Sequence, residues 1–173
     1  NHADVLKHMV LIQLLDHLTR KDTPLVVVDT HAGAGLYRLD GDFAGTSGES
    51  VDGVVALFQA LAPAGRQAPV IAQEASAPAI RDYMEAIASF NPSGALKIYP
   101  GSPFLVQRQL RQEARDKLKL FELHPTDSKV LAANIAQLKA GRQIAVARQD
   151  GFEGLKAFLP PPNRRALVLI DPS

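Results

Sequence analysis

Val26-Val27-Val28-Asp29-Thr30-His31-Ala32-Gly33-Ala34-Gly35 is a β-branched apolar run that closes on an acid and a Gly-x-Gly turn. Three consecutive valines without polar alternation describe a strand buried on both faces, the kind found in the parallel sheet of an α/β domain. Glycines directly after such a strand permit positive φ and carry no Cβ, so the turn offers bare backbone to a nucleotide-type ligand. Asp29, at the strand's end, can accept hydrogen bonds from a cationic ligand.

Working outward, further strands are expected at 96–99, 117–123, 144–147 and 166–170, with the first at 25–29. Helices are expected at 3–20, 107–115, 127–140 and 152–158, and the alternation argues a mainly parallel, doubly wound sheet. Between 39 and 94 the pattern changes: glycine-rich loops around Gly41, Gly45 and Gly48 precede helix-like stretches at 51–61 and 77–90, broken by Gly65, Pro69, Pro92 and Gly94. The reading is therefore a sheet domain over 1–38 and 95–173, interrupted by a small helical insertion over 39–94.

Composition bounds the function. A chain of 173 residues with 46% hydrophobic and 6% aromatic content holds one ordinary α/β core. It has no cysteine, which excludes disulfides, thiolate metal sites and cysteine nucleophiles. A formal net charge of +1 does not announce a nucleic-acid binder through a broad positive field. Arg108, Arg111, Arg115, Lys117 and Lys119 nevertheless crowd one segment, and Arg164 with Arg165 another; phosphate contacts are one use for them, solvated faces the other. No apolar run reaches the roughly 20 residues that span a bilayer, and no signal-peptide pattern opens the chain, so a cytoplasmic protein without a membrane partner is expected. The start at Asn1 and the stop at Ser173, directly after an apolar strand, read as those of a fragment.

In open α/β sheets, ligands bind beyond the carboxyl ends of the strands. Here those ends carry Asp29-Thr30-His31, Gly101-Ser102, Glu122, Asp150-Gly151 and Asp171-Pro172. Glu122 can take both hydroxyls of a ribose, or form a rim salt bridge. Asp150 can accept from an adenine amine while the Gly151 backbone approaches the ring; taken alone, Asp-Gly is first of all a turn and a helix cap. Asp171 and the Pro172 carbonyl can together accept from an exocyclic amine, holding its nitrogen in line with a methyl donor. No His or Cys spacing suits a metal, and none is expected.

Six segments, taken in order, closely resemble the bacterial 23S ribosomal RNA adenine-N6 methyltransferases that modify a single adenine: Asn1-His2-Ala3-Asp4-Val5-Leu6-Lys7-His8, Asp29 to Gly35, Tyr99-Pro100-Gly101-Ser102-Pro103, Glu122-Leu123-His124-Pro125, Asp150-Gly151-Phe152 and Leu169-Ile170-Asp171-Pro172. The resemblance implies a Rossmann-like class I methyltransferase fold using S-adenosyl-L-methionine, with an inserted small helical subdomain, acting on 23S ribosomal RNA as a monomer. It implies cofactor contacts at His8, His31, Ser102, Glu122, Asp150, Gly151 and Asp171, catalysis by Asp171 with Pro172, and a substrate contact at Lys7. The family continues Asp-Pro-Pro-Tyr with an aromatic that stacks on the flipped adenine; here Ser173 follows Pro172 and ends the sequence.

Two readings of other classes compete. An NAD-binding oxidoreductase would share the glycine turn, but the third small residue of its fingerprint falls on Arg38, and no strand-ending acid follows at its usual distance. A non-catalytic RNA-binding homologue would keep the fold without the chemistry. Methylation of another amine, in DNA or a protein, uses similar Asp-Pro-Pro-aromatic sites.

Overall fold

A computed structural model describes residues 2–39, 53–57 and 77–172. The chain forms two units, one made of Asn1–Leu14 and Tyr37–Pro100, the other of Leu15–Leu36 and Gly101–Ser173. Helix α1 (His2–Thr19) gives its first residues to the former and its last to the latter.

The second unit carries the sheet. Four parallel strands, β1 (Val26–Asp29), β4 (Lys117–Phe121), β5 (Ile144–Ala147) and β6 (Ala166–Leu169), lie in the order β5-β4-β1-β6. β1 is central, and Val27, Val28 and Asp29 are buried, as the unbroken valine run demands. Helices α3 (Ser102–Gln109), α4 (Pro125–Ala136) and α5 (Gly151–Phe158) supply the crossovers. Leu25, Val27, Val28, Leu105, Leu118, Leu120 and Leu131 form the unit's fully buried centre.

At the opposite end of the strands from the glycine turn, Asp116 is clamped. The Arg111 guanidinium donates to both its oxygens, at 2.9 and 3.0 Å, and also to the carbonyls of Thr19, Lys21 and Thr23. Arg165 donates to the carbonyls of Leu18 and Thr23. These cations close the C-terminus of α1, where free carbonyls and the helix dipole favour positive charge. Arg111 and Arg165 thus have a structural role, holding main-chain carbonyls around the end of α1.

Two elements differ from expectation. The helix expected at 107–115 forms instead at Ser102–Gln109, because Gly101 ends the preceding extended segment and Pro103 suits a helix's first turn. Residues 110–116 are then committed to the Arg111–Asp116 clamp, with Arg115 at φ 59°. The strand expected at 96–99 as part of the main sheet appears as β3 (Ile98–Pro100), paired with β2 (Leu36–Arg38) in a separate two-stranded sheet. Its apolar residues specified a strand but not its partner.

The first unit includes helix α2 (Pro78–Ser89), whose Tyr83, Met84, Ala86 and Ile87 are buried, and a helical piece at 53–57. Asn91 organises the turn into β3: its Oδ1 accepts from the backbone N–H of Lys97 and Ile98, and its Nδ2 donates to the carbonyls of Ile87 and Ile98. The expected loops around Gly41, Gly45 and Gly48, the breaks at Gly65 and Pro69 and the flanks of the 51–61 helix lie outside the described residues.

Candidate functional site

Strand register sets the level of the site. Asp29 pairs with Leu120 on one side and Leu169 on the other, so His31, Glu122 and Asp171 each follow two residues beyond one row of the sheet. The glycine turn is bent by Gly33 at φ 62° and Gly35 at φ 81°, conformations that side chains with a Cβ rarely adopt. A side chain at Gly35 would also strike Leu131 Cδ1, 2.8 Å from the position of its Cβ.

Glu122 is held by main chain alone in the described contacts. One oxygen accepts the Gly33 N–H at 2.7 Å and the other the His124 N–H at 2.8 Å. The carboxylate is therefore oriented before any ligand arrives, and each oxygen keeps accepting capacity for a further donor. A paired ribose diol has the geometry to use it; among the described residues no cation forms the rim salt bridge.

Asp29 corrects the expectation placed on it. It is 0% exposed, and its oxygens accept the Ser102 hydroxyl at 2.6 Å and the His31 N–H at 3.2 Å. It shapes the turn from beneath and does not face a ligand. Ser102 reaches it because the chain that leaves this unit after Leu36 re-enters at Gly101, whose N–H donates to the Gly35 carbonyl at 2.8 Å. The helix that normally follows a glycine turn is thus supplied by α3, from beyond the interruption.

Asp150 caps α5, its Oδ1 accepting from the N–H groups of Phe152 at 2.9 Å and Glu153 at 3.1 Å. The helix-cap reading is realised, and because both bonds fall on one oxygen the residue remains capable of a second task. Gly151 abuts the turn after β1 so closely that a Cβ there would lie 2.2 Å from the Thr30 carbonyl oxygen. This contact brings Phe152 edge-on to the His31 ring, with centroids 5.5 Å apart. Asp171 and Pro172 are exposed just past β6.

Lys7 and His8 belong to the other unit. Lys7 pairs with Asp4 at 2.9 Å. His8 is buried, its Nδ1 3.2 Å from the Tyr99 hydroxyl, with the Tyr83 ring nearby. Burial pushes the Tyr83 phenol up to about 12, and raises Tyr99 further, so both remain protonated at neutral pH. Tyr83 and Tyr99 were not singled out in the sequence; the Tyr-Pro-Gly-Ser-Pro segment was the only pointer to Tyr99. Among the described residues no group of three or more His, Asp or Glu could hold a metal, and no helix is long and apolar enough to cross a membrane.

A family model described as ribosomal RNA large subunit methyltransferase D, RlmJ, matches residues 22–173. The chain belongs to the RlmJ family. Similar RlmJ relatives are the ribosomal RNA large subunit methyltransferases J of Escherichia coli, 40% identical over 99% of this chain, and of Haemophilus influenzae, 37% identical over the same share. The chain spans 55% of the length of each. A Legionella pneumophila protein of known crystal structure superposes with a TM-score of 0.77 at 35% identity, covering 100% of this chain and 57% of its own. The Rossmann-like α/β fold expected from the RlmJ resemblance agrees with the parallel sheet described above.

Proposed function

We propose that the full-length protein transfers a methyl group from S-adenosyl-L-methionine to the N6 amine of an adenine in 23S ribosomal RNA, in the bacterial cytoplasm. The observation that carries the reading is the Glu122 carboxylate, fixed by the Gly33 and His124 amides at the carboxyl end of a β5-β4-β1-β6 sheet in a chain of the RlmJ family. The names of the relatives, ribosomal RNA large subunit methyltransferases, supply the substrate class.

The donor set fits the cofactor. Glu122 would hold the ribose hydroxyls, Asp150 the adenine amine, and the Gly151 amide the ring edge, with His31 and Ser102 as further contacts. When bound, the cofactor supplies an electrophilic methyl on a sulfonium. Asp171 and the Pro172 carbonyl would accept hydrogen bonds from the target amine, orienting its nitrogen for in-line attack and stabilising the positive charge that develops there. Lys7 would contact the RNA. No covalent enzyme intermediate is needed.

The glycine turn runs into β2 and not directly into a helix, which counts against the dinucleotide fingerprint. Calorimetric titration with S-adenosylhomocysteine and with NAD separates the two: binding of the former is expected, and binding of NAD alone would overturn the reading. Incubation of the full-length protein with deproteinised ribosomal RNA and labelled cofactor should place label on one adenine. Asp171→Ala should abolish that transfer while keeping S-adenosylhomocysteine binding within roughly 10-fold; near-normal methylation by this variant would sink the catalytic assignment.

A further inference from the structure

Thr30 stands between the two halves of the proposed chemistry. It is 2% exposed, and its hydroxyl lies 2.8 Å from His31 Nδ1 and 3.1 Å from the carbonyl of Leu169, the last residue of β6. The Thr30 N–H donates to the same carbonyl at 3.1 Å. Two residues beyond Leu169 is Asp171, and one beyond Thr30 is His31.

A threonine hydroxyl has one hydrogen and two lone pairs. If it donates to His31, its oxygen faces the Leu169 carbonyl oxygen with no proton between them. If it donates to Leu169, the His31 Nδ1–H completes the set, and every polar atom of the group is satisfied. The second arrangement makes two hydrogen bonds where the first makes one and sets no two oxygen lone pairs against each other, so it is the favoured one.

We propose that Thr30 is a positioning residue that fixes His31 as the Nδ1–H tautomer and ties its ring to the strand end bearing Asp171. The ring then presents Nε2 as a hydrogen-bond acceptor, suited to a donor such as the α-ammonium or a ribose hydroxyl of the cofactor. Thr30 also bears the Gly151 contact, so the same residue seats the α5 N-terminus. The proposal rests on the reading of His31 as a cofactor contact.

Thr30→Val keeps the branched shape and the backbone bond to Leu169 while removing the hydroxyl; Thr30→Ser restores the hydroxyl. Nitrogen-15 spectra of the His31 ring in the full-length protein should show the Nδ1–H form in the parent and in Thr30→Ser, and a mixture dominated by Nε2–H in Thr30→Val. S-adenosylhomocysteine affinity, measured by calorimetry, should fall roughly 3- to 10-fold in Thr30→Val and recover in Thr30→Ser. An Nε2–H ring in the parent would overturn the proposal. So would unchanged affinity in Thr30→Val alongside weakened binding in His31→Ala, which leaves the cofactor reading intact. Unchanged binding in His31→Ala would instead remove the reading of His31 on which the proposal stands.

Discussion

The Ser102 hydroxyl donates to Asp29 Oδ2 at 2.6 Å, joining the first turn of α3 to the end of β1 across 73 positions of sequence. The acceptor is a carboxyl group with no solvent access, so losing the hydroxyl leaves it buried without that partner. Ser102→Ala should destabilise the full-length protein by roughly 1–3 kcal/mol in urea unfolding. It should also weaken S-adenosylhomocysteine binding, because the His31 amide shares the Asp29 carboxylate. A melting curve and an affinity both equal to the parent's would show that Ser102 does not support the turn.

Two glycines of α5 should fail in different ways. A Cβ at Gly154 would sit 2.3 Å from Phe121 Cε1, a side chain packed in the sheet face, whereas one at Gly151 would meet Thr30 backbone. Gly154→Ala gains about 1 kcal/mol of helix propensity but overpacks the core, for a net loss of roughly 1–2 kcal/mol. Gly151→Ala must move the helix start off the turn, so its loss should appear chiefly as weaker cofactor binding. Calorimetry beside urea melts distinguishes the two; equal affinity losses would contradict this division.

Acid should unlock the Asp116 clamp. Burial alone would raise this carboxyl, but the Arg111 guanidinium, the N–H groups of Leu25 and Arg111, and the Arg111 charge outweigh it and hold it below the usual carboxylate range. Its contribution to stability is therefore complete above the unfolded value of about 3.9 and is lost as pH falls through the lower folded value. Asp116→Ala leaves Arg111 without its partner and should cost roughly 3 kcal/mol at neutral pH, with a shallower decline in acid than the parent. Stability measured by urea titration from pH 7 to 3 tests both parts; parallel curves would refute the linkage.

The strand ends were legible because each advertises itself by an apolar run closing on an acid: Glu122, Asp150 and Asp171 lie past β4, β5 and β6, and β5 spans the residues that its apolar run predicts. Asp29 looked like its neighbours in sequence, yet only packing reveals that it points under the turn to Ser102. The α3 helix was displaced because Gly-Ser-Pro reads equally as a loop and as a helix start. The roles of Arg111 and Arg165 were hidden for a related reason: their targets are carbonyls at and just beyond the end of α1, about 90 positions away for Arg111 and more than 140 for Arg165, which no local pattern encodes.

The Glu122 carboxylate is anchored by the main-chain N–H groups of positions 33 and 124. An amide does not depend on the side chain it accompanies, so the two positions are not equally free to vary. Position 33, at φ 62°, tolerates few residues other than glycine or asparagine. Position 124 asks only for extended backbone and a side chain able to cap α4, a task His124 performs and Ser, Asp or Asn would perform as well. Distant relatives can therefore lose this histidine and retain an equally well-aimed carboxylate, so its absence from a sequence is no sign of a lost site.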